Sequence, residues 1–341
     1  IAGEIFHLLG LDHPSPLQAH WQHEVGTDGC DDTPEYNGTH NLLGCNYGNR
    51  YALTECQTGR ILFKLATLNP VILRYPDSDS TFTSEGNCVI VEDDIVINDG
   101  EDVVWRGKKE LRSNLIVRSG GKLTIRCDLG MPKDAQILVE PGGKLFVYGK
   151  IYNNCEGQPW TGLIVEGYKN LPQTLPPSDQ QGFLRLLPGS IIEGAKTSID
   201  VASGGMVIAT GCTIQNCGGM VFAPYDFPTK SRFDYCDFTC DGNVYDFGTD
   251  TYYHATLFGI NNLNFNACNF SVDNVPPAAA QKTNGILAYD ALFRVYNGST
   301  FRGFDAGIHA SGSYDAMKAF TVDHCTFSGC GGVCQCQRER W

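Results

Sequence analysis

NLIVRSGGKLTI (Asn114 to Ile125) and QILVEPGGKLFV (Gln136 to Val147) are two copies of one phrase, their Gly-Gly-Lys-Leu units 22 residues apart. Each copy is an alternating apolar strand, a Gly pair and a second alternating strand. Alternation of period 2 buries one face of a strand, and a Gly pair supplies the positive φ that a sharp corner needs. A third copy, SIDVASGGMVIA, places its pair at Gly204 and Gly205. Repetition on this scale is the mark of a chain built from coils.

A second phrase takes over further along: GCTI (Gly211 to Ile214), YCDF (Tyr235 to Phe238), ACNF (Ala267 to Phe270), GSTF (Gly298 to Phe301) and HCTF (His324 to Phe327). The Cys, or Ser299 in one copy, is expected to point inward together with the Ile or Phe two residues later. The copies are unequally spaced, which predicts loops of different length inserted at one corner, as solenoids tolerate. One coil cannot bury its own apolar face, whereas stacked coils share a core and pair strand on strand at about 4.8 Å per coil. Coils of two or three short strands predict a parallel β-helix. The competing reading, a sandwich of hairpins, needs two-residue turns between paired strands. Asn98-Asp99-Gly100, Asp241-Gly242 and Asn297-Gly298 are present but do not recur in register.

Composition narrows the function classes. A net charge of −13 argues against nucleic acid, because phosphate binding needs clustered Lys and Arg. No run of 18 apolar residues predicts a membrane helix. The 15 cysteines are open to two readings, an extracellular disulfide framework or, for residues 200–330, a stack of small buried side chains. Their spacings do not form paired zinc knuckles. The first residue, Ile1, reads as the middle of a helix without a cap, and CQCQRERW follows directly on a strand-like segment, so a fragment at both ends is expected.

The first residues, IAGEIFHLLGLDH (Ile1 to His13), carry the only stretch that looks like chemistry. Glu4, His7, Gly10 and His13 match four of the five positions of H-E-x-x-H-x-x-G-x-x-H, and Gly3 stands where the first His belongs. GCDDTP (Gly29 to Pro34), NLLGCN (Asn41 to Asn46) and LTECQTGRI (Leu53 to Ile61) follow in order. Residues 1–70 thereby resemble the C-terminal half of the catalytic domain of a metzincin of the pappalysin and cytophagalysin type. The resemblance implies a small, mostly helical or irregular subdomain, Glu4 as general base, and His7 and His13 as zinc ligands. Leu43 takes the place of the Met in the turn beneath the metal. A catalytic zinc site wants three protein ligands and a water, so the missing His predicts an incomplete site with weak or no activity. His20 and His23 lie close by and read as surface-loop residues, although either could replace the missing ligand.

Residues 71–86 are polar, with Pro and Ser, and read as a linker. Residues 87–335 resemble the right-handed parallel β-helix of bacterial secreted surface proteins. The whole predicts a mainly β chain, a β-helix preceded by the metzincin-like part, secreted or at the cell surface, monomeric and without a membrane span. Function is expected in one of two classes. In the first, the chain is part of a secreted zinc metallopeptidase acting on protein or peptide, with the β-helix attaching it to a surface or glycan. In the second it is a non-catalytic adhesive or carbohydrate-binding solenoid. A polysaccharide lyase is a weaker third reading. It would use Asp241, Asp246 and Asp250 in a loop rich in Tyr and Phe. The acidic groups Glu92-Asp93-Asp94 and Asp99-Gly100-Glu101-Asp102 read as a soluble cap on the first coil, with calcium binding as the alternative.

Overall fold

The computed structural model describes residues 88–155, 157–241, 251–273, 282–313 and 320–339. Among them the regular structure is strand throughout, in three parallel sheets of ten, nine and nine strands. The chain visits the sheets in strict rotation. The first coil is Ile95–Ile97, Asp102–Trp105 and Lys109–Glu110, one strand to each sheet. The next coil, Leu115–Val117, Lys122–Ile125 and Leu129–Met131, pairs with it strand by strand in parallel. The rotation continues to Gly332–Glu339, which pairs with Ala306–Ser313 in the first sheet. These all-parallel sheets agree with the expected right-handed parallel β-helix.

The expectation of a mostly helical, metzincin-like subdomain in front of the solenoid is corrected. The described residues are all-β without a helix, because their apolar positions recur with period 2 and face one shared core. Residues 1–70 lie outside the described residues. Contacts along the chain divide it into units of residues 1–81 and 82–341.

The quoted phrases sit where the coils need them. Asn114 to Ile125 spans the corner from first to second sheet, and its Leu115, Val117, Leu123 and Ile125 are fully buried. Gly120, Gly142 and Gly204 take φ of +75°, +87° and +90°. Their partners in each pair are glycine for a different reason, the close approach of coils. A Cβ on Gly143 would stand 2.3 Å from the Val117 carbonyl oxygen, and one on Gly205 2.2 Å from that of Val165.

The second phrase marks the corner from second to third sheet. Cys212, Cys236, Cys268 and Ser299 are buried there, with Ile214, Phe238, Phe270 and Phe301 two residues on. The rings stack face to face from coil to coil, Phe238 on Phe270 at 4.6 Å, Phe270 on Phe301 at 4.7 Å and Phe301 on Phe327 at 4.8 Å. That is the coil rise itself. The residue before each small side chain has positive φ: Gly211, Tyr235, Ala267, Gly298 and His324. Strand register adds copies that differ in letters. Arg126-Cys127-Asp128-Leu129 and Gly189-Ser190-Ile191-Ile192 occupy the same corner, as does Gly149. A Cβ on Gly149 would lie 2.0 Å from the Cys127 carbonyl oxygen, so this column admits only small residues.

Loops do not enter at one corner, as expected, but at two. Residues 168–181 and 223–231 leave between first and second sheet, whereas Asp241 and Asp273 follow the third-sheet strands Asp237–Cys240 and Asn269–Val272 and open longer connections back to the first. The third-sheet strands stay short and regular, and Asp237, Asn269 and Thr300 link three coils on its outer side through side-chain hydrogen bonds of 2.8 Å.

Eight cysteines among the described residues are free thiols, which bears out stacking for Cys212, Cys236 and Cys268. Burial pushes the Cys217 thiol up to about 12 and raises Cys268 as well. One disulfide, Cys88–Cys155, joins the approach to the first coil to the end of the third.

Candidate binding face on the second sheet

Every strand of the second sheet sends alternate side chains outward, and parallel pairing aligns them in columns. The central column runs Val104, Thr124, Phe146, Arg185, Ile208, Arg232, Asn264, Arg294 and Thr321. Arg185, Arg232 and Arg294 thus recur at every second coil, about 10 Å apart at 4.8 Å per coil. A flanking column places Asp234, Asn266 and Tyr296 side by side. Arg126 and Tyr148 belong to its earlier coils.

Aromatic rings and cations interleave on this face. The Arg126 guanidinium lies 4.7 Å from the Tyr148 ring centroid and Arg294 5.0 Å from that of Tyr296, while Lys122 Nζ is 5.7 Å from Phe146. Such contacts hold a guanidinium flat while its edge N–H groups stay free to donate. Tyr148 is 39% exposed. Phe183, Met206 and Ile208, also outward, form a separate apolar cluster against which Phe146 packs.

The charges on the face differ in how they are satisfied. Lys122 pairs with Asp102 at 2.8 Å, Lys144 with Asp179 at 2.7 Å, and Arg232 donates through Nε to Asp234 at 3.1 Å. The lysine pair lowers the pKa of the Asp179 carboxyl. Arg185 has no ion pair among the described residues. Burial lowers its pKa, and the positive charge of Arg232 lowers it further. A half-buried guanidinium without its own carboxylate, two coils from Arg232, whose partner is Asp234, is an electrostatic deficit that an anion would relieve.

A buried polar group of another kind lies inside the coil. His254 is 4% exposed, with Phe238, Phe270 and Phe304 around it. Its Nε2 lies 2.9 Å from the Ser271 carbonyl oxygen and therefore carries the proton. Its Nδ1 lies 3.2 Å from the Tyr252 hydroxyl. Burial pushes the imidazole down to about 4. The group is satisfied and closed to solvent, so it is part of the core.

Of the residues singled out from sequence, Glu4, His7 and His13 lie outside the described residues, as do Asp246 and Asp250. The acidic groups at the first coil engage local partners: Asp94 accepts from Asn114 Nδ2 at 2.9 Å and Glu101 from the Asn98 amide at 2.6 Å. Among the described residues no group of three or more His, Cys, Asp or Glu is placed to hold a metal ion. The arginine column escaped sequence reading, although its signal was present. Aligning KLTI, KLFV, FLRL and MVIA by their inward Leu or Val exposes two outward positions per strand, and Arg185 occupies one of them.

Fold and face define a class, a parallel β-helix bearing a cationic and aromatic strip along one sheet. Comparison with protein-family models, with curated proteins and with solved structures finds no match to the chain.

Proposed function

We propose that this chain is a non-catalytic, carbohydrate-binding solenoid of a secreted or cell-surface protein. The observation that carries the reading is the outer face of the second sheet, where the rings of Phe146 and Tyr148 on the third coil and of Tyr296 on the eighth lie beside Arg and Lys donors. Sugar rings stack their C–H faces on aromatic planes while their hydroxyls take hydrogen bonds from fixed donors. A linear glycan repeats along its length as the solenoid does. The Cys88–Cys155 bond fits an oxidising compartment, where disulfides persist.

A glycan array probed with the whole chain tests the proposal. Binding is expected, reduced about thirtyfold or more when Tyr148→Ala and Tyr296→Ala are combined, taking for each sugar-stacked ring the roughly 1–3 kcal/mol that a base-stacked ring supplies. Absence of binding to every glycan, or binding indifferent to both tyrosines, would sink it. The zinc reading of Glu4, His7 and His13 is a separate proposal from the sequence. With Gly3 in place of a ligand, calorimetric titration should show weak zinc binding or none.

A further inference from the structure

We infer that the glycan taken by this face is anionic, with one carboxylate or sulfate per disaccharide, bound along the column Arg185–Arg232–Arg294. The inference rests on the proposed function and names its ligand class. Three observations carry it. First, the guanidinium groups recur at every second coil in one column, about 10 Å apart. A chain of alternating neutral and acidic sugars presents its charges at a comparable interval, so a rigid ladder meets several at once without bending the ligand. Second, Arg185 is half-buried and without an ion pair among the described residues, and of the two charges that act on it, Arg232 and Asp234, the carboxylate is already held by Arg232. Such a group gains most from a counter-charge, because bidentate guanidinium–carboxylate or –sulfate bonds strengthen in a partly desolvated setting.

Third, the carboxylates on the face limit what can bind. Asp102, Asp179 and Asp234 sit beside Lys122, Lys144 and Arg232. They leave positive charge at intervals rather than as a continuous stripe. Nucleic acid, with a phosphate on every nucleotide, would bring backbone charge against those carboxylates, and the chain's net charge of −13 adds a general repulsion that only a matched local contact overcomes. A sparse polyanion fits where a dense one does not. Asn264, between Arg232 and Arg294 in the column, offers an amide to the uncharged sugar.

The test uses the whole chain and hyaluronan oligosaccharides, which carry one carboxylate per disaccharide, with their methyl esters as the uncharged match. The acid form should bind, and the ester at least tenfold more weakly. Arg185→Gln and Arg232→Gln should each weaken binding of the acid form about tenfold, the range for a charge-assisted hydrogen bond. Arg302→Gln, on the third sheet, should leave it unchanged, and thermal melts of each variant verify folding. Equal binding of acid and ester overturns the anionic assignment and leaves carbohydrate binding standing. Indifference to Arg185→Gln and Arg232→Gln overturns the placement. Preference for single-stranded DNA over hyaluronan overturns the ligand class. Failure to bind any glycan, charged or neutral, removes the underlying function as well.

Discussion

Single positions show how little freedom a coil leaves. Gly143 faces the Val117 carbonyl oxygen, with 2.3 Å available for a Cβ. Gly143→Ala must push two coils apart, and a loss of about 2 kcal/mol is expected in urea melts, in the range for overpacking. Phe270 lies between Phe238 and Phe301 with near-parallel planes. Phe270→Ala should cost about 3–5 kcal/mol, because a rigid stack cannot close the gap. His254 gives a pH signature. Its folded pKa of about 4 lies below the ordinary 6.5, so the unfolded chain binds more protons in that window. The stability from keeping it neutral is complete above about pH 6.5 and is lost as pH falls towards 4. The difference amounts to about 3 kcal/mol. Urea melts at pH 7 and pH 4 should show the natural chain losing about that much more than His254→Leu.

At the scale of elements, the loop 168–181 is held by the Gln181 amide, which donates to the Tyr168 and Leu171 carbonyl oxygens, by the Tyr225 hydroxyl, which donates to that of Leu171, and by the buried amide of Gln173. Gln173 donates to the carbonyl oxygens of Gly204 and Gly205 at 3.0 and 2.8 Å and accepts from Thr229 Oγ1 and the Lys230 amide at 3.0 and 2.6 Å. It is 5% exposed. Gln173→Ala strands those partners, and a cost of about 2–3 kcal/mol is expected, felt first as faster hydrogen exchange in residues 168–181 and 223–231. Strands and corners were legible in the sequence because each quoted phrase couples a period-2 pattern to a Gly pair or a small inward residue. Copies such as Arg126 to Leu129 were not, since Cys127, Gly149 and Ser190 share size rather than letters. The binding face was hidden for a related reason. Inward positions repeat by chemistry and announce themselves, whereas outward ones vary freely, and only register brings Arg185, Arg232 and Arg294 into line.

Across the whole molecule, stability is shared among neighbouring coils, so damage stays local. The loop closed by Cys88–Cys155 spans 67 residues, and chain-entropy reasoning assigns such a closure about 4 kcal/mol. Cys88→Ser with Cys155→Ser should fray the first three coils, seen by hydrogen exchange, while strands from Phe183 onward keep their protection. Transmission of the loss to Phe293 or Phe301 would contradict the nearest-neighbour picture.

That cross-link also decides how the solenoid carries load. Tension arriving at Cys88 from the N-terminal side can pass through sulfur to Cys155 and onward, without entering the backbone between them. The three opening coils then form a sheltered loop, slack while the rest is pulled. In a force spectrometer the natural chain should unravel about 230 Å short of its full contour, at 3.3–3.6 Å per residue over the 67 residues enclosed. A reducing buffer should return the missing length. For a tether between a surface and a polymer, this part would keep its shape under strain.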